Sequence, residues 1–131
     1  MKRGREEFRV AGLSEPISHY TDAVRFGDTV YISGIAPLDE KGALIGGSDA
    51  AAQTEQIFRN MKRVLDAVGA EFSDVLRVTV YLTTIADRTL INPVRQKYFG
   101  KARPASTLIE VSALAIPGMK VEIEAVVGLP G

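Results

Sequence analysis

The sequence contains no cysteine, no tryptophan and a single histidine, His19. Without cysteine the chain cannot form a disulfide, a thiolate nucleophile or a cysteine-ligated zinc site, and one histidine cannot supply a histidine cluster. No apolar run approaches the roughly 20 residues that a membrane-spanning helix needs. These absences argue against a structural metal centre and against a membrane protein.

An excess of either charge is also missing, because 16 basic residues balance 16 acidic ones. Binding to a nucleic-acid backbone draws on a surplus of lysine and arginine, so nucleic acid is not the expected partner. The basic residues at the start of the chain are not followed by the apolar segment of a secretory signal. The expected location is therefore the cytoplasm.

With 131 residues, 46% of them hydrophobic, the chain has the size and composition of one globular domain spanning residues 1–131. The charged residues 1–7 are expected to form a frayed arm or an edge strand. Residues 23–26 and 29–33 read as two antiparallel strands, since Gly27-Asp28 is a typical two-residue hairpin connection.

Helical spacing follows from Ser48 onwards. Six apolar residues recur on one face: Ile57, Phe58, Met61, Val64, Leu65 and Val68. Ser48 or Asp49 is the candidate N-cap, and Gly69 lies just past the predicted end of the helix. Residues 77–82 then alternate between apolar and mixed side chains, which predicts a strand.

A second helix is predicted before Tyr98, with Leu90, Ile91 and Val94 as its buried face. Pro93 is tolerated in a first turn but not in a helix interior, so Asn92 is a candidate cap for this helix. Residues 106–111 and 120–127 read as two closing strands.

This order of elements predicts an α+β fold with one mixed β-sheet and two helices packed on one face. On the last strand Val121, Ile123 and Ala125 should point to the helices, while Glu122 and Glu124 share the opposite face. A half-polar sheet face in a small domain is expected to be covered by other subunits, so the pattern predicts an oligomer.

Several segments carry a more specific pattern: residues 18–24, 30–34, 64–69, 78–82, 103–105 and 120–125. Their order and spacing over residues 8–128 resemble the RidA (YjgF) family of reactive-intermediate deaminases. The resemblance implies a chorismate-mutase-like α+β fold and a homotrimer with pockets between neighbouring subunits. It further implies hydrolysis of small enamine or imine metabolites to ketoacids and ammonia, without metal or cofactor.

Carried over by position, the resemblance implies four site residues. Glu122 would orient the attacking water, and the other three would hold the substrate, namely Tyr20, Ser33 and Asn92. Two positions depart from the family pattern. Ser106 stands where the family has the arginine of a Pro-Ala-Arg motif, and His19 stands where a proline is usual.

The serine matters because a guanidinium binds a carboxylate through two parallel, charge-assisted hydrogen bonds that a hydroxyl cannot reproduce. The expected consequence is an altered substrate, such as an aminomuconate-type enamine. His19 could act as an acid or base for that substrate, and Ser106 could contact it directly. Arg103 could supply the missing cation, although its spacing on an extended segment directs its side chain to the other face.

Ordinary structural roles are open for the same residues. Glu122 could form a surface ion pair, Tyr20 could pack at an interface, and Ser33 could make a strand-end hydrogen bond. Asn92 could simply cap the second helix, and His19 could lie on the surface.

The leading hypothesis is therefore a trimeric, cofactor-independent enamine or imine deaminase acting on a small polar metabolite. The alternative from another class is a non-catalytic trimer that binds such a metabolite and regulates a partner. A ribonuclease activity, which the names of some family members suggest, fits poorly with the neutral charge balance and the single histidine.

Overall fold

The computed structural model describes residues 4–130, which form a six-stranded sheet with two long helices. The strands are β1 (Glu6–Phe8), β2 (Ala23–Phe26), β3 (Thr29–Ile35), β4 (Val75–Leu82), β5 (Ala105–Glu110) and β6 (Val121–Gly128). The helices are α1 (Ala50–Val68) and α2 (Arg88–Phe99), with short 3₁₀ turns at Phe72–Asp74 and Ile85–Asp87.

The strand order is β1-β2-β3-β6-β4-β5. β4 and β5 run parallel, and the other neighbouring strands run antiparallel. α1 packs against β3 and β6, and α2 packs against α1. The predicted α+β fold with a mixed sheet and two helices is confirmed.

The predicted hairpin and the predicted first helix are both present. Gly27 adopts a φ of 63°, which closes the β2–β3 turn at no steric cost because glycine has no Cβ. Asp49 is the N-cap of α1, and its side chain accepts hydrogen bonds from the backbone N–H groups of Ala51 and Ala52. Gly69 ends the helix in the left-handed conformation.

The second helix differs from the prediction at its start. The Ile85–Asp87 turn leads directly into α2 at Arg88, so Asn92 and Pro93 lie inside the helix. Asn92 is therefore not the N-cap, and capping does not explain this residue. Pro93 lies in the second turn of α2, where its missing N–H removes one hydrogen bond to the first turn.

The buried face of α2 also differs in one residue. Ile91 is fully buried and Val94 is half-buried, as predicted, but Leu90 is 54% exposed. Neighbouring helical residues point about 100° apart, and of this pair only Ile91 faces the core.

The core lies between the helices and one face of the sheet. Val30, Val80 and Ile123 from three adjacent strands are completely buried beneath α1. Four aromatic rings close the end of the core between the two helices, in edge and tilted contacts: Phe58, Phe72, Tyr98 and Phe99. Such pairs add specific geometry to the hydrophobic burial.

The opposite face of the sheet is more polar, and no helix formed by residues 4–130 covers it. Buried and half-buried residues alternate along β6, so Glu122 and Glu124 lie on this open face, as predicted. Tyr81 is in register with Glu122, and Tyr31, 54% exposed, lies on the same face. Of the predicted N-terminal arm, residues 1–3 lie outside the described residues, and β1 forms one edge of the sheet. No helix within residues 4–130 is long and apolar enough to cross a membrane.

Candidate active site

A cavity of about 380 Å³ lies between the loop that precedes β2, the end of β3 and the start of β6. Its apolar wall includes Leu13, Val64 and Met119. Its polar groups include Tyr20, Ser33, Asn60, Asp22 and Glu122. Three of the site residues expected from the family resemblance, Tyr20, Ser33 and Glu122, therefore line one cavity.

A β-bulge shapes the floor of this cavity. The pairing of β3 with β6 shifts register between Ile32 and Ile35, so the bulge falls on Ser33-Gly34. The Ser33 hydroxyl donates to the Thr21 carbonyl at 2.6 Å, which leaves its oxygen lone pairs as acceptors toward the cavity. Bulges re-aim side chains in this way next to functional sites.

Gly34 makes room for the Glu122 carboxylate. A Cβ at residue 34 would lie 2.9 Å from Oε1 of Glu122 and 3.0 Å from its carboxyl carbon. The φ of Gly34 is not positive, so glycine is needed here for space and not for backbone conformation. The close approach of backbone and carboxylate fixes where Glu122 meets the cavity.

Glu122 is half-buried, and its pKa is raised above the usual range by burial first and by the negative charge of Glu124 second. A carboxylate with a raised pKa is a stronger base than an exposed one once it is ionised. Glu122 is thus a stronger base toward water than an exposed glutamate would be. The pKa of Tyr81 is also raised, by burial first, then by the charge of Glu124 and the hydrogen bond to Glu124, and last by the charge of Glu122.

The loop that carries Tyr20 is held by its own hydrogen bonds. Asp22 is buried, pairs with the Arg9 guanidinium and accepts from the backbone N–H of Val10 at 2.8 Å. Thr21 donates to the Phe8 carbonyl at 2.8 Å. These contacts anchor the loop to the β1 end of the sheet, while Tyr20 stays 47% exposed at the cavity.

A second polar group lies at the other edge of the sheet. Ser106 on β5 accepts a hydrogen bond from Nη2 of Arg95 at 2.8 Å. Arg95 follows Asn92 by three residues on α2, so the two side chains are neighbours on the helix surface. We refer to Asn92, Arg95 and Ser106 as the α2–β5 cluster.

Arg95 is a residue that the sequence pattern missed. It is half-buried, and burial lowers the pKa of its guanidinium from the ordinary arginine value. Its distance in sequence from Ser106 and its place on a helix gave no signal of the contact. Arg103, which sequence spacing suggested and then disfavoured, is exposed.

The cavity and the α2–β5 cluster do not meet within one chain. Ser106 is in register with the buried Val78, so it faces the helix side, whereas Glu122 is in register with Tyr81 on the open face. Glu122 and Ser106 are also separated by β4. His19 is exposed beside Tyr20 and is not among the residues that line the cavity.

The described residues offer little to a metal ion. Within residues 4–130, no three histidine, aspartate or glutamate side chains group closely enough to hold one. The polar groups of the cavity are instead hydroxyls, an amide and carboxylates, which can hold a small polar molecule and move a proton.

Comparison with known proteins identifies the family. The Endoribonuclease L-PSP family model matches residues 12–128. Over 115 residues the chain is 36% identical to the 3-aminoacrylate deaminase RutC of Acinetobacter baylyi, covering 88% of this chain and 90% of that protein. Over 113 residues it is 34% identical to the 2-iminobutanoate/2-iminopropanoate deaminase of Dermatophagoides farinae, covering 86% of this chain and 88% of that protein.

A solved structure agrees with the sequence relatives. YyfA from Yersinia pestis, described as a protein of unknown function of the conserved Rid protein family, is 29% identical with a TM-score of 0.90. The likeness covers 96% of this chain and 100% of that one. The chain therefore belongs to the RidA (YjgF) family, which the Endoribonuclease L-PSP model describes, and it has the fold of that family.

Proposed function

We propose that the protein is a cofactor-independent deaminase that hydrolyses a small enamine or imine to a carbonyl compound and ammonia. The observation that supports this most directly is the half-buried Glu122, whose pKa is raised, in a cavity beside Ser33 and Tyr20. Relatives of the chain are named 3-aminoacrylate deaminase and 2-iminobutanoate/2-iminopropanoate deaminase. A base and hydrogen-bonding hydroxyls in one cavity are the groups that this hydrolysis needs.

The reaction can be written with these groups alone. An enamine first becomes its imine tautomer by gaining a proton at carbon and losing one from nitrogen. The Glu122 carboxylate takes a proton from water while the water oxygen bonds to the imine carbon, and the C=N π-electrons move to nitrogen. Glu122 returns this proton to nitrogen, which gives a neutral carbinolamine. The carboxylate then takes the proton of the new hydroxyl and passes it to the amino nitrogen, so the C–N bond breaks and ammonia leaves as the C=O bond forms.

Ser33 and Tyr20 would orient the substrate in this scheme. The Ser33 hydroxyl donates to Thr21, so it would meet the substrate as an acceptor, for example of an imine N–H. Tyr20 would donate or accept through its hydroxyl at the mouth of the cavity. His19, exposed next to Tyr20, would contact the substrate only at that mouth.

We further propose that the complete pocket forms between subunits of a homotrimer. The α2–β5 cluster contains two of the expected site residues, Asn92 and Ser106, and it lies apart from the cavity of its own chain. β5 is an edge strand with mostly exposed side chains, and Ile109 is exposed on its open face. A neighbouring subunit packed at this edge would cover these groups and bring its own cavity to the α2–β5 cluster of this chain.

The substrate is proposed to differ from that of relatives with an arginine at the position of Ser106. A serine side chain is uncharged, so residue 106 itself makes no ionic contact with the substrate and would meet it through a hydroxyl. Residence in the cytoplasm stays a prediction from the sequence.

The test is ammonia release from 2-iminopropionate generated freshly by an amino-acid oxidase. We expect turnover above the spontaneous rate by the wild type, loss of that turnover in Glu122→Ala, and little change in Glu40→Ala, where the exposed glutamate lies away from the cavity. Sedimentation of each variant checks the trimer. A wild-type protein that binds a metabolite unchanged and releases no ammonia from any enamine or imine would support the non-catalytic alternative.

A further inference from the structure

We propose that Arg95 is the substrate-binding cation of this protein, and that it binds a substrate carboxylate together with Ser106 and Asn92. This inference rests on the proposed function and names the chemical class of its substrate, a carboxylate-bearing imine or enamine. On this proposal the pocket has a positively charged group although residue 106 is a serine. The charge comes from helix α2 instead of strand β5.

The contact geometry supports this assignment. Nη2 of Arg95 donates to Oγ of Ser106 at 2.8 Å, so the guanidinium lies directly beside the end of the Ser106 side chain. A guanidinium has five N–H donors, and this hydrogen bond uses one of them. The remaining donors can bind both oxygens of a carboxylate. The Ser106 hydroxyl, which accepts from Arg95, retains its own proton to donate.

Arg95 has no counter-ion among residues 4–130, in contrast to several other arginines. Arg5, Arg9 and Arg59 each form an ion pair with a carboxylate. Arg95 is half-buried and still forms none with any described carboxylate. Desolvating a cation without a partner is unfavourable, so such a group is stabilised when an anion binds.

Other cations near β5 are less suitable. Arg77 donates to Oγ1 of Thr107 at 2.5 Å, and both residues lie on the open face of the sheet, away from Ser106. Arg103 is exposed. Arg95 is also next to Asn92 on the surface of α2, so a carboxylate bound to the guanidinium would lie within reach of the Asn92 amide.

The names of two relatives fit a carboxylate ligand. 3-Aminoacrylate, 2-iminobutanoate and 2-iminopropanoate are all carboxylates, and they are the compounds for which these relatives are named. Removing one side of a charge-assisted bidentate pair weakens binding by about ten- to a hundred-fold. We therefore expect Arg95 to act mainly on binding, while Glu122 acts on the chemical step.

The experiment compares Arg95→Met with Arg88→Met, an exposed arginine on the same helix. For 2-iminopropionate we expect Arg95→Met to raise KM at least ten-fold with a smaller change in kcat, and Arg88→Met to stay within two-fold of wild type. Arg95→Lys, which keeps the charge but not the two parallel hydrogen bonds, should fall between them. Circular dichroism and sedimentation confirm that each variant is folded and assembled like the wild type.

A second variant keeps the test decisive if Arg95→Met alone assembles poorly. The double substitution Arg95→Met with Ser106→Arg moves the cation from the helix to the strand, and it should recover most of the lost kcat/KM. Equal KM values for Arg95→Met and Arg88→Met, or no recovery in the folded double variant, would overturn the inference.

Binding of 2-oxobutanoate separates this inference from the proposed function. If the wild type releases no ammonia, the deaminase proposal fails, and calorimetric titration with 2-oxobutanoate still tests Arg95. Binding that weakens at least ten-fold in Arg95→Met and is unchanged in Arg88→Met supports the carboxylate subsite. No binding by the wild type, or equal binding by both variants, counts against it.

Discussion

Replacing Gly34 by alanine should impair catalysis without unfolding the protein. The added Cβ would lie 2.9 Å from Oε1 of Glu122, whereas ordinary contacts begin at 3.4 Å. The carboxylate must therefore retreat by about 0.5 Å from its position in the cavity. A misplacement of 1 Å costs on the order of a hundred-fold in rate, so we expect kcat to fall roughly ten-fold, which corresponds to about 1.4 kcal/mol.

Stability should change little in the same variant. The clashing atoms belong to the end of a flexible side chain, and the φ of Gly34 suits any residue. Alanine also restricts the unfolded chain more than glycine does, which offsets part of the strain by about 0.5–1 kcal/mol. The free energy of unfolding from urea titration should thus stay within about 1 kcal/mol of the wild type.

Gly128→Ala is the matched control, because it adds the same methyl group to a strand far from the cavity. Its Cβ would lie 3.1 Å from Cδ1 of Leu76, again the end of a flexible side chain. The assay is ammonia release under saturating imine, with stability measured in parallel. If kcat of Gly34→Ala matches that of Gly128→Ala, the position of the Glu122 carboxylate does not limit the reaction and our reasoning is wrong.

Three further predictions concern charge and buried polar groups. Burial raises the folded-state pKa of Glu122, so ionisation of this carboxyl at pH 7 opposes folding, and Glu122→Gln should raise Tm at pH 7. The gain in Tm should shrink as the pH falls through the raised pKa toward the pKa of the unfolded chain, and an equal gain at pH 4 would contradict this. Glu124→Gln removes the nearby negative charge that helps to raise the pKa of Glu122. The acidic limb of the pH profile of kcat should therefore move to lower pH, whereas an unmoved limb would exclude Glu122 as the base. The side chain of Gln53 is fully buried, donates to the carbonyls of Gly47 and Gly118 and accepts from the N–H of Lys120. Gln53→Leu should therefore lower the free energy of unfolding in urea titration by about 3 kcal/mol or more, and a loss below about 1 kcal/mol would mean that water replaces the amide.

Local sequence patterns determined most of the elements. The α1 helix was predictable because its cap, its apolar spacing and its terminal glycine agree, and the β2–β3 hairpin because Gly27 suits a tight turn. The start of α2 was not predictable in the same way. Pro93 is a strong local stop signal, but the preceding 3₁₀ turn and the burial of Ile91 stabilise the helix through it.

Local sequence pattern also placed some of the expected site residues correctly and not others. Alternation along β6 placed Glu122 on the open face, since side chains of a strand alternate with a period of two. The sequence could not show that Gly34 admits the Glu122 carboxylate, because that contact joins β3 to β6 across a bulge. It also could not separate Asn92 and Ser106 from the cavity, since only strand order and register place them at the other edge.

Arg95 is the clearest case of a contact that the sequence did not reveal. Proximity in sequence points to Arg103, three residues before Ser106, as the substitute cation. The tertiary structure instead brings a helical arginine onto the strand, through the packing of α2 beside the parallel pair β4–β5. Periodicity thus determined the elements and the exposed faces of this protein, because both depend on neighbours within a few residues. The polar contacts of its candidate site depend on residues distant in sequence, and only the packing of helices and strands decided them.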